Sequence, residues 1–442
     1  MPLLARLLPV AVAMTAACLG VRTVPAAADT GSDPVVSRGV TIPAFYNPPV
    51  TLPTADGALI RSEPLPLALS LPSIPGPLPG RATRLMYKST DSGGRPVAVT
   101  GAYIEPAAAW PAGGARPLVA LAPGTMGQGD QCAASMGLEH PLLLNGETVS
   151  VGYEDLAIYR LLAEGVAVVV TDYVGLGTTD RLHTYVNRLD GAHAVLDAVR
   201  AARALDGASV TSASRVGLFG YSQGGGATAA AAELQPAYAP DVALAGTYSG
   251  APPADLTEVT RAIDGSDLAG ALGWAVNGFL QSDPALKPIA EAHLNAAGMA
   301  ALADLSTMCV GDALFAYGSV HSTAWTNDGR SLGDIIQSEP ALRDYLEEQR
   351  IGTSTPASPV RVATGVNDDL VPHAQARRLA VDWCRAGADI TYVPVVLPNA
   401  GRALLNHFGP LLTDQGAAVA WLTARLSGMP AVSDCWTMPA QP

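Results

Sequence analysis

Four apolar runs, each bounded by turn residues, set the rhythm of the middle of the chain. They are PLVALAPG (117–124), VAVVVTDYVG (166–175), SRVGLFGYS (214–222) and VALAGTYSG (242–250). Between them lie EDLAIYRLLAEG and DGAHAVLDAVRAARAL, where apolar residues recur at three- and four-residue steps, the period of an amphipathic helix. Strands that are apolar without alternation, interleaved with such helices, predict an α/β class with a mostly parallel sheet covered on both faces. Upstream, TRLMYKSTD and PVAVTGAYIEP flank SGGR, which predicts an antiparallel hairpin. After Gly250 the rhythm breaks. Residues 252–350 carry helical patterns only (LAGALGWAVNGFL, SEPALRDYLEEQR), and the sheet resumes at PVRVATGVND and DITYVPVV, followed by a last helix, GAAVAWLTARL. The expected organisation is a core formed by 81–251 and 351–442, with a helical cap inserted at 252–350. Residues 29–80, rich in proline, read as an extended arm on that core.

Composition narrows the class. At 442 residues, 49% apolar and 15% charged, the chain can bury a large core. A formal charge of −13 argues against nucleic acid as a partner and against electrostatic docking on anionic lipid. The first residues place Arg6 ahead of an apolar stretch, Leu7 to Val21, followed by the small residues Ala26 and Ala28. This is the layout of an export signal over 1–28, cleaved after Ala28, and it is too short to span a bilayer. Lipid attachment at Cys18 is the rival reading, but MTAAC lacks the leucine such sites carry. Past Ala28 four cysteines remain, Cys132, Cys309, Cys384 and Cys435. An even number in an exported chain predicts two disulfides, in any of three pairings, and the spacings fit no zinc pattern.

The chemistry centres on GYSQGGG at 220–226. Gly220-Tyr221-Ser222-Gln223-Gly224 fits G-x-S-x-G and stands between a predicted strand and a predicted helix, the setting in which that motif exposes a nucleophilic serine on a strained turn. A serine hydroxyl needs a base, and the base an orienting carboxylate; on this strand–turn–helix arrangement they follow in the order Ser, acid, His. GVNDDLVP ends a strand and offers Asp368 and Asp369, with Asp368 favoured by the spacing to Val371-Pro372. Of seven histidines, His407 in LLNHFGP occupies the slot after the last strand and before the last helix. An oxyanion hole requires two backbone donors. Gln223, after the nucleophile, is one; the other comes from the turn after an early strand, ALAPGTMGQ, with Thr125 favoured over Met126.

With these motifs placed, the chain resembles the secretory lipase family of the yeast lipase A type, from about Arg81 to Cys435. GDQCAAS, TDYVGLGT, AHAVLDAVRAAR, GYSQGG, GVNDDLVP, LLNHFGPLL and HLNAAGMAALADLSTMC carry the likeness. The resemblance implies an α/β-hydrolase fold with a helical cap, a Ser222–His407–Asp368 triad, and disulfides Cys132–Cys309 and Cys384–Cys435. It further implies hydrolysis of carboxylic esters, with lipids as the favoured class, transient contact with a lipid interface, and no metal or organic cofactor. Two other functions share these residues. An exported acyltransferase would pass the acyl group to an alcohol instead of water, and a catalytically silent binding protein would keep the pocket alone.

Overall fold

The computed structural model describes residues 34–68 and 79–442. The expected export segment, its cleavage after Ala28 and Cys18 lie outside them. Nine strands form one sheet: β1 Leu59–Leu65, β2 Gly80–Thr90, β3 Pro96–Pro106, β4 Leu118–Ala122, β5 Ala167–Val174, β6 Val216–Tyr221, β7 Leu244–Gly250, β8 Val360–Gly365 and β9 Ile390–Val395. Their spatial order is β9-β8-β7-β6-β4-β5-β3-β2-β1. The pairs from β9 to β5 are parallel, and β5-β3-β2-β1 are antiparallel.

The continuous apolar runs follow from burial on both faces. Along β4, Leu118, Ala120 and Ala122 point into one hydrophobic layer while Val119 and Leu121 point into the other. The first layer is closed by α3 (Arg188–Ala204), α4 (Gln223–Tyr238) and α12 (His373–Arg385). The second is closed by α1 (Ala134–Glu139), α2 (Asp155–Ala163) and α13 (Ala403–Leu426). With no solvated face, period-two alternation disappears from the sequence while it persists in space.

Between β7 and β8 the chain is helical: α5 Leu256–Ile263, α6 Ala271–Ser282, α7 Lys287–His293, α8 Ala296–Leu305, α9 Val310–Tyr317, α10 Leu332–Ser338 and α11 Pro340–Glu348. The Cys132–Cys309 disulfide spans 177 residues and ties this helical segment to the core; Cys384–Cys435 joins α12 to the C-terminal tail. In a chain-entropy account a loop that long is worth about 5 kcal/mol. Beside the first disulfide the Gln128 N–H donates to Met308 O (2.9 Å) and the Val310 N–H to Met126 O (2.8 Å). The crosslink therefore sits within a short backbone pairing rather than alone.

Two features differ from the sequence reading. Leu59–Leu65, assigned to the proline-rich arm, is the edge strand of the sheet, antiparallel to β2. Its Pro64 is tolerated because an edge strand has one side on which no N–H is required. His407 does not precede the last helix. It lies inside α13, which starts at Ala403 and continues through Pro410. Gly409-Pro410 reads as a breaker in sequence, since proline loses its own bond to the carbonyl four residues back and crowds that carbonyl, but here the helix runs through it and the ring packs against Gly365.

Candidate active site

Ser222 occupies the turn from β6 into α4 with φ 58° and ψ −123°, a conformation costly for any residue with a side chain. The flanking glycines make the turn possible. A Cβ on Gly220 would lie 2.2 Å from Gly224 O, and one on Gly224 would lie 2.0 Å from Ala122 O. The Ser222 N–H donates to Gly250 O at 2.9 Å, fixing the turn to the end of β7.

The acid and the histidine meet. His407 Nδ1 donates to Asp368 Oδ2 at 2.7 Å, and the two residues are only 2% and 5% exposed. The other carboxylate oxygen of Asp368 accepts the N–H groups of Leu370 (3.1 Å) and Val371 (3.0 Å), so the carboxylate is aimed before any ligand arrives. Asp369, its neighbour, is exposed. The Tyr221 hydroxyl donates to His407 O at 2.8 Å, linking the residue before the serine to the histidine backbone. No hydrogen bond joins Ser222 Oγ to His407; the two side chains line the same two cavities. The helix carrying His407 is held to the strand leading to Asp368 by a buried bidentate pair, Arg361 with Asp414, at 3.0 and 2.6 Å.

The turn after β4 is held by side chains from other elements. Tyr173 OH donates to Pro123 O (2.6 Å), the Gly124 N–H to Glu154 Oε1 (2.7 Å), and Tyr153 OH to Thr125 O (2.8 Å). Thr125 Oγ1 also shares a 2.7 Å hydrogen bond with Tyr185 OH. The N–H groups of Thr125 and Gln223 have no hydrogen-bond partner among the described residues. Thr125 lines a cavity together with Ser222 and His407; Met126 is buried and does not line it.

Gln223 has its own support. Its Nε2 donates to His183 Nε2 at 2.9 Å, and His183 Nδ1 donates to Val174 O at 3.0 Å. Burial pushes the His183 imidazole down to about 4, which keeps it neutral, and the Val174 carbonyl holds the proton on Nδ1, leaving Nε2 to accept from Gln223. The sequence reading passed over His183, Tyr153, Glu154, Tyr173 and Tyr185. Glu154 stands there only as the first residue of the helical stretch EDLAIYRLLAEG.

Two spaces meet at Ser222 and His407. One is an open cavity of about 320 Å³ with an apolar wall of Tyr153, Leu314, Leu405 and Phe408. The other is a narrow slot under α5 and α6, lined by Val259, Leu272, Ala275 and Phe279. Leu272, Ala275 and Phe279 also wall a second apolar space, between α6, α10 and α11. Leu405 and Val151 on the open cavity, and Phe315 one residue beyond Leu314, are exposed to solvent. No helix among the described residues is long and apolar enough to cross a membrane.

Comparison with known proteins gives the family and the fold. The chain is 30% identical over 399 residues to a Mycobacterium tuberculosis protein named a probable inactive lipase, covering 86% of this chain and 85% of that one. Lipase 10 of Candida albicans is 29% identical over 413 residues, covering 90% and 84%. Candida antarctica lipase A in its closed state superposes with a TM-score of 0.74 over 88% of this chain and 87% of that one; at 20% identity this is a likeness of fold, that of the α/β-hydrolases. The model of the family described as secretory lipase matches residues 138–434, a span that includes Ser222, Asp368 and His407, and the chain belongs to that family.

Proposed function

We propose that the protein is an exported serine hydrolase of carboxylic esters, with Ser222 as nucleophile, His407 as base and Asp368 as the residue that orients it. The observation that carries this reading is the buried 2.7 Å His407–Asp368 hydrogen bond on the same cavity as a serine at φ 58°. Ser222 Oγ attacks the ester carbonyl carbon while its proton passes to His407 Nε2. The carbonyl oxygen becomes an oxyanion that accepts from the N–H groups of Gln223 and Thr125. Collapse breaks the bond to the alcohol, which leaves with the proton from His407 and with the acyl group on Ser222. Water, deprotonated by His407, then releases the acid and restores the serine. Apolar walls on both spaces beside Ser222 support an ester with apolar substituents, and the exposed Leu405, Val151 and Phe315 support contact with a lipid surface. The two disulfides support export by the N-terminal 28 residues. The helical segment 252–350 acts as the cap over the slot.

The test is hydrolysis of p-nitrophenyl esters from acetate to palmitate by the mature protein and by Ser222→Ala. The expected result is activity that falls by at least about 10⁴-fold in the variant, with a chain-length optimum that separates esterase from lipase. The relative named a probable inactive lipase favours a second reading, a pocket that binds without turnover. Equal inactivity of both proteins across the series counts against ester hydrolysis and leaves the binding and acyltransferase readings.

A further inference from the structure

Glu154 is buried, 5% exposed, without a salt-bridge partner among the described residues, and the reaction scheme gives it no part. Its carboxyl turns inward from the residue before α2 to reach the turn after β4. That turn offers two successive main-chain donors, the N–H groups of Gly124 and Thr125. Glu154 Oε1 takes the first at 2.7 Å and leaves the second for the cavity. The other ties to the turn, from Tyr173, Tyr153 and Tyr185, engage carbonyls and a hydroxyl. Glu154 alone holds a main-chain donor. The fit is close: a Cβ on Gly124 would stand 2.6 Å from Tyr153 Oη, 3.3 Å from Tyr221 O and 3.4 Å from Glu154 Oε1.

Resting on the proposed esterase reading, we propose that Glu154 is a positioning residue for oxyanion stabilisation, occupying the Gly124 N–H so that the Thr125 N–H is the donor presented beside Ser222. A buried acceptor does this without moving, and a displacement of about 1 Å at such a donor costs on the order of 100-fold in rate. The charge state of the carboxyl matters as well. A neutral carboxyl accepts the Gly124 N–H without setting an anion beside the oxyanion, whereas an ionised one opposes the charge that develops there. Facing it are Tyr153 and Asp155 on its own segment, Tyr173 at the end of β5 and Tyr248 on β7, with no cation among them. Burial pushes the Glu154 carboxyl up to about 7, with Asp155 adding to the rise and the Gly124 N–H opposing it.

The experiment compares the mature wild-type protein with Glu154→Ala and Glu154→Gln on p-nitrophenyl butyrate, as kcat and KM from pH 5 to 9, with Ser222→Ala alongside. Glu154→Ala is expected to lose about 100-fold in kcat with KM within about threefold of wild type. Glu154→Gln, whose amide oxygen still accepts, is expected to recover to within about fivefold, and to lack the decline in kcat above pH 7 expected of the wild type. Full kcat in a folded Glu154→Ala overturns the proposal, as does a Glu154→Gln as impaired as the alanine variant. Should Glu154→Ala fail to fold, the pH profile of Glu154→Gln decides: an alkaline decline kept in that variant overturns the charge argument and the proposal with it. A dead Ser222→Ala beside an unimpaired Glu154→Ala refutes this inference alone, whereas an active Ser222→Ala refutes the esterase reading beneath it.

Discussion

The two sides of the site are built on different principles. On the rim, around the turn after β4 and the acid–histidine pair, position is set by short hydrogen bonds between named atoms. Asp368 carries three of them, and the turn after β4 is tied at Pro123, Gly124 and Thr125 in succession. Under the helical segment, the lining away from Ser222 presents mostly apolar side chains, which would hold a ligand by contact rather than by directed bonds. Away from the Ser222 end, where Tyr185, Gln223 and His407 also stand, the slot and the second space are walled mainly by leucine, isoleucine, valine, alanine and phenylalanine, with Thr260 and with His293, which is paired with Glu339 at 2.9 Å. Directional bonds hold geometry to tenths of an ångström and fail abruptly when one partner is lost. Apolar walls tolerate exchange and change by degrees. The difference separates the part that would perform chemistry from the part that would choose the acyl chain.

The sharpest way to break the rim is Asp368→Asn. It keeps the shape but lets the amide present an N–H to His407 Nδ1, favouring the wrong tautomer. A loss of roughly 10³- to 10⁴-fold in kcat is expected, measured on a p-nitrophenyl ester in the mature protein. A smaller effect is read by titration, through the buried Glu154 of the rim. Glu154, moved from 4.5 to about 7 by burial, stays protonated in the fold while the unfolded chain ionises. Its contribution to stability is complete below about pH 4.5 and lost as pH rises through 7. Asp130 and Asp155, also raised to about 7 by burial, act with the same sign from about pH 4 upward. His183, lowered to about 4, acts oppositely: it costs stability as pH falls from 6.5 through 4. Thermal midpoints are therefore expected to fall from about pH 4.5 to 7, three carboxyls outweighing one histidine, and to level off above that. In Glu154→Gln the drop should be shallower, by the equivalent of about 3 kcal/mol at most. The smallest effect belongs to the floor. Phe279→Ala, at the junction of slot and inner space, is expected to lower kcat/KM by less than about tenfold for palmitate and leave acetate unchanged. An equal loss on both esters would show that the floor and the rim are not separable.

Much of the sheet was legible because burial on two faces writes itself as unbroken apolar runs, and GYSQGGG was legible because its glycines answer a steric demand within five residues. Leu59–Leu65 was not. An edge strand half open to solvent, with Pro64 in it, has neither the apolar run nor the ban on proline that marks a central strand. The start of α13 was hidden by Gly409-Pro410, whose breaking power is a local property that packing against Gly365 outweighs. The braces on the turn after β4 left no pattern at all. Tyr153, Tyr173 and Tyr185 act through single hydroxyls brought together from three places, and Glu154 looks in sequence like any acid opening a helix. Burial reversed that role, and burial of one side chain is decided by the whole fold.

The Arg361–Asp414 pair has a mechanical meaning. It welds the helix bearing the base to the strand that delivers the acid, so the two move as one lever rather than as two parts meeting at a hinge. The Tyr221 hydroxyl, on the strand that leads to the serine, donates to His407 O and ties that strand to the same unit. Such a chassis leaves one distance in the site without a direct bond at rest, that from Ser222 Oγ to His407.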